Sequence, residues 1–78
     1  MDTSNSAQPH DGEHHTDTRR RMFDRALIMG RHEAATTASE PGIFHTWAWG
    51  FLRGIESREL RCEALHGLMA ALDERDAR

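Results

Sequence analysis

Apolar residues recur three and four apart over three separate stretches of the chain, and each recurrence predicts an α-helix with one oily face. In the first stretch, Met22, Phe23, Ala26, Leu27, Gly30 and Ala34 gather into one stripe at about 100° per residue, leaving Asp24, Arg25, Arg31 and His32 outside it. Ile28 falls off the stripe, so it is either exposed or marks a second contact of the kind an oligomer needs. This helix is expected over about 17–38.

The segment Ser39-Glu40-Pro41-Gly42 is the clearest punctuation. Ser39 is expected to cap a second helix whose first turn accepts an acidic residue and a proline. That helix is expected over about 42–54, where Ile43, Phe44, Trp47, Ala48, Phe51, Leu52 and Ile55 cover about half the circumference, broader than one stripe. Such a helix reads as the core element. The third is expected over about 57–76, with Ser57 as N-cap, Glu59 near the positive end of the dipole, and Leu60, Ala64, Leu65, Leu68, Met69, Ala71 and Leu72 as its apolar face.

If the second and third helices were continuous, their apolar faces would be rotated by roughly 110° from one another, and one partner surface could not cover both. A kink or turn is therefore expected at Gly54-Ile55-Glu56-Ser57, where Gly54 is a poor helix former. Residues 1–15 contain no large apolar side chain after Met1 and are expected to form a disordered tail.

These elements predict an all-α fold: a small three-helix bundle, or a helical hairpin plus a third helix, over 16–78. At 78 residues the chain has room for one domain and a small core, so completion by a homodimer is expected. The lone Cys62 cannot close an intrachain disulfide, which suits a reducing compartment. The polar, acidic start does not resemble a secretion signal, and the longest apolar run, Leu68 to Leu72, is far short of the ~20 residues of a membrane span. A cytoplasmic location is expected. All ten basic residues are arginine, a skew that GC-rich coding produces, which points to a high-GC bacterium or one of its phages.

The formal charge of −3, with acids and bases interspersed, is that of a solvated helical surface rather than a general nucleic-acid binder. Within it, Arg19, Arg20, Arg21 and Arg25 cluster at the start of the first helix, where the dipole disfavours positive charge. They suit an acidic protein surface or phosphate, against the plain alternative of solvated positions paired with nearby acids. A helix-turn-helix is not expected, because the second helix offers Trp, Phe, Ile and Leu where a reading helix needs polar side chains.

Cys62 and His66 are one turn apart, the spacing at which two ligands on one helix face a metal ion. Two ligands do not close a site; a two-fold dimer, His45, or the tail histidines His10, His14 and His15 would have to complete it. The same pair lacks the further groups a nucleophilic site needs. No catalytic residue and no cofactor is expected.

The most informative surface residue is Trp49, which lies outside the arc of Phe44, Trp47 and Phe51 on a flank shared with His45 and Arg53. Trp and Arg together resemble a binding hot spot. Two rows of small residues, Gly50 with Gly54 and Ala26 with Gly30 and Ala34, permit close helix approach within the chain or between copies. The function expected is that of a non-enzymatic interaction or regulatory protein, such as a mobile-element inhibitor that binds a host protein through Trp49, Arg53, His45 and the arginine cluster. The alternatives are a nucleic-acid-associated regulator using Arg19 to Arg25 and a dimer bridged by metal at Cys62 and His66.

Overall fold

The structure, a computed structural model, describes residues 16–77. It is all-α: α1 spans Thr16–Thr36, α2 Pro41–Arg53 and α3 Arg58–Asp76, with no strand among the described residues. The expected tail over 1–15 lies outside the described residues, as do His10, His14 and His15.

α1 ends at Thr36 rather than about residue 38, where the backbone passes into a turn toward α2. The last helical bond, from the Thr37 N–H to the Glu33 carbonyl at 3.0 Å, is made, with the Thr36 and Thr37 hydroxyls donating to the same oxygen at 3.1 and 2.7 Å, and the Glu40 N–H then closes a turn on the Thr37 carbonyl at 2.9 Å. The cap of α2 is Glu40 and not Ser39. Pro41 sets φ for the first helical position and pushes the residue before it toward extended backbone, the N-cap conformation, so the proline selects its own predecessor. Glu40 accordingly has φ −140° and ψ 78°, and its side chain makes no capping hydrogen bond.

The break between α2 and α3 falls where the change of apolar face required it. Gly54 closes α2 with an ordinary helical φ of −77°, so its role is low helix propensity rather than a left-handed turn. Ser57 then caps α3, its hydroxyl accepting the Leu60 N–H at 3.2 Å. The Arg61 guanidinium donates to the Ile55 carbonyl at 2.7 Å and ties the connection to the first turn of α3.

α1 and α3 run parallel, with α2 as the return leg. Arg19 meets Glu59 near the first turns of the two helices, and Arg31 meets Glu74 near their last. The second pair is bidentate, Nε to Oε1 at 2.7 Å and NH2 to Oε2 at 2.8 Å, and these hydrogen bonds raise the Arg31 pKa above its already high ordinary value.

Small residues make the seam between these two helices. Ala26, Gly30 and Ala34 are the buried residues of α1, and Ala64, Gly67, Leu68 and Ala71 are those of α3. A Cβ on Gly67 would lie 2.5 Å from the Phe23 carbonyl oxygen and 3.0 Å from the Leu27 nitrogen; one on Gly30 would lie 3.0 Å from the Ala71 Cβ. The backbones thus approach as closely as glycine allows. Across this pair α2 lays Phe44 and Leu52, both buried, with Trp47, Ala48, Phe51 and Ile55 half-buried around them. The core is therefore centred on the α1–α3 seam, and α2 is its cover rather than its centre.

Adding one methyl tests the seam. Gly67→Ala must displace backbone atoms, an overpacking cost of about 1–3 kcal/mol that exceeds the ~1 kcal/mol alanine gains in helix propensity. Gly50 has nothing within 4 Å of its would-be Cβ. Urea unfolding should rank Gly50→Ala at or above the native chain and Gly67→Ala clearly below it; equal stabilities would remove the close seam.

Candidate interaction face on the second and third helices

Because the α1 side of α3 is taken by Ala64, Gly67, Leu68 and Ala71, the larger side chains Leu65 and Met69 point elsewhere. Leu65 and Met69, expected in the buried face, are 41% and 53% exposed. On α3 they lie some 130–170° around the axis from the mean direction of Ala64, Gly67 and Ala71, at about 100° per residue. Trp49 of α2, 62% exposed, stands beside them. Trp47 is turned to the other side, within an aromatic row with Phe44 and Phe51 at centroid distances of 5.6 and 5.4 Å.

Two adjoining hollows run between α2 and α3, sharing Trp49, Leu52 and Leu65 as walls. The apolar one, about 280 Å³, is lined by Phe44, His45, Ala48, Leu68, Met69 and Leu72 besides those three. The other, about 470 Å³, ends among Arg53, Arg58, Arg61 and Cys62. Its lining holds three arginines and no acid. Arg61 is held by the Ile55 carbonyl, whereas Arg53 and Arg58 are exposed and without an ion pair among the described residues.

Of the residues singled out by sequence, this face brings together Trp49, His45 and Arg53. His45 and Trp49 wall the apolar hollow, and Trp49 with Arg53 walls the basic one. The arginines of α1 do not join them. Arg19 turns to Glu59 on α3 at 3.5 Å, Arg21 stands 4.0 Å from Asp17 one turn earlier, and Arg20 and Arg25 are exposed on α1. The misplaced charge at the start of α1 is thus partly answered within the chain. In that first pair the Arg19 Nε and Glu59 Oε1 atoms are buried without a hydrogen-bond partner among the described residues.

Cys62 and His66 are both exposed on α3, and no group of three or more His, Cys, Asp or Glu side chains among the described residues is arranged to hold a metal ion. Ile28 is 63% exposed on α1, away from its stripe. Sequence reading missed Arg58, Arg61, Leu65 and Met69. The signal for the last two was present in the row Ala64, Gly67, Ala71, which marks the tight side of α3 and assigns the bulky residues to the opposite one.

No helix among the described residues is long and apolar enough to cross a membrane. Compared with known proteins, the chain matches no family model, no curated protein and no solved structure. The geometry alone makes a checkable statement about the two tryptophans. In dilute solution, Trp49 in a Trp47→Phe background should emit at long wavelength and be strongly quenched by iodide, and Trp47 in a Trp49→Phe background should be blue-shifted and shielded. Equal quenching of the two would contradict the placement of Trp49.

Proposed function

We propose that the chain is a non-enzymatic interaction protein, regulatory in role, that works by presenting the α2–α3 face to another protein. The observation that carries this reading is the combination on one face of an exposed tryptophan, an open apolar hollow and, adjoining it, the exposed Arg53 and Arg58, which have no ion pair among the described residues. Trp and Arg are the residues most enriched where binding energy concentrates, and an apolar centre with a charged edge is the anatomy of an interface. Trp49 is the anchor, Leu65 and Met69 supply apolar contact, and Arg53 and Arg58 select an acidic rim. His45 adds a polar contact at the other end of the hollow.

An inhibitor from a phage or other mobile element, masking a surface of a host protein in the cytoplasm, is the form of this role that suits so small a chain. Masking needs only a rigid complementary face, and α1 and α3 provide the rigid backing. No cofactor is required for it.

The test uses the full chain immobilised as bait in extract of its native host, beside a Trp49→Ala bait and an Arg20→Ala/Arg25→Ala bait. The proteins held by the native chain should be retained roughly tenfold less by Trp49→Ala, the loss expected of a hot-spot tryptophan, and undiminished by the arginine double variant or by nuclease. Retention that survives Trp49→Ala, or that nuclease abolishes, would contradict the reading and favour phosphate recognition by α1.

A further inference from the structure

The free side of α3 has a pattern that names one occupant. Arg58, Cys62, Leu65, Met69, Leu72 and Asp76 follow one another at spacings of four, three, four, three and four, the heptad rhythm of a helix that pairs with another helix. All are exposed except half-buried Leu72, and together they lie on the side of α3 turned from α1, with α2 along one flank. The row is also symmetric about Gly67: basic residue at one end, acidic residue at the other, four apolar or thiol positions between.

Both end charges have the wrong sign for their own helix. Arg58 is the first residue of α3, where the dipole is positive, and Asp76 is the last, where it is negative. Arg58 has no ion pair among the described residues, and Asp76 has only its sequence neighbour Arg75, at 3.3 Å. A parallel copy would stack Arg58 on Arg58 and Asp76 on Asp76. An antiparallel copy answers each with its opposite and aligns the two helix dipoles favourably.

We propose that the α3 part of this face binds a second copy of the chain, two α3 helices pairing antiparallel about a two-fold axis at the level of Gly67, on the side of α3 opposite to it. This rests on the reading of the α2–α3 face as a protein-binding surface and names an occupant for part of it. Leu65 of each copy meets Met69 of the other at the centre, Cys62 meets Leu72, and Arg58 meets Asp76 at both ends. Trp49 borders the seam and is partly covered by it. The two Cys62 residues are then about 15 Å apart along the axis, at 1.5 Å per residue, too far to share a disulfide or a metal ion.

Sedimentation equilibrium of the native chain under reducing conditions should give twice the 8.9 kDa chain mass as concentration rises. Trp49 emission in Trp47→Phe protein should shift blue over the same range. Arg58→Glu should weaken the dimer by about tenfold or more, and Arg58→Glu/Asp76→Arg should restore it to within roughly threefold. Both substitutions suit the α3 dipole better than the native residues, so weaker association cannot be ascribed to unfolding; circular dichroism verifies this. In a Cys62→Ser background, mixed Leu65→Cys and Met69→Cys chains should oxidise to the mixed disulfide in preference to either homodimer.

A monomer up to millimolar concentration, a dimer indifferent to the charge reversals, a rapid Cys62–Cys62 disulfide, or a dimer that needs zinc each overturns the proposal. A monomeric chain whose bait still depends on Trp49 sinks the dimer alone. A charge-sensitive dimer whose bait ignores Trp49 sinks the proposed function alone.

Discussion

The contact on which the rest depends is the one between Gly67 of α3 and the Phe23 carbonyl of α1, where no side chain separates two helices. A parallel pair gains nothing from its dipoles, so the attraction has to come from packing. Close approach supplies it by bringing long stretches of backbone and Cβ atoms into dispersion contact. The ion pairs at the ends, Arg19 with Glu59 and Arg31 with Glu74, hold the register but are too exposed to supply the cohesion.

The same contact determines what is left outside. A seam made mostly of glycine and alanine buries little apolar area per residue, and of the bulky side chains of α3 it admits Leu68, which lies over Gly30. Leu65 and Met69 fall on the α2 side instead, where thirteen-residue α2 leaves them exposed. A small chain with so thin a core gains stability if a second protein surface covers that remainder. The apolar hollows and the exposed Trp49 are thus consequences of one packing choice.

Much of the fold was legible in the residues. Pro41 and the Gly54-to-Ser57 break set the helix limits, and the rotation of the apolar face between Ile55 and Leu60 required two helices rather than one. Less legible was which face of each helix is closest to its neighbour. Hydropathy weights leucine and methionine above alanine and glycine, so Leu65 and Met69 read as core and Gly67 went unremarked. Packing reverses that order, because the nearest approach belongs to the smallest side chains. For the candidate site, Trp49, His45 and Arg53 could be placed on one flank by helical angle alone. Their companions Arg58 and Arg61 could not, since they come from another helix whose orientation depends on the glycine seam. The dispersal of the α1 arginines was hidden for the same reason: Glu59 is forty residues from Arg19 in sequence and beside it only in a parallel pair.

The central claim is that α3 has one side sealed by α1 and the opposite side open to a second protein chain. Methyl relaxation by a soluble paramagnetic agent measures both sides at once. In dilute protein the account predicts strong relaxation of the Met69 and Leu65 methyls and protection of those of Leu68, with Met69 and Leu65 becoming protected only as another chain binds. Protection of Met69 in the isolated chain, or strong relaxation of Leu68, would contradict it.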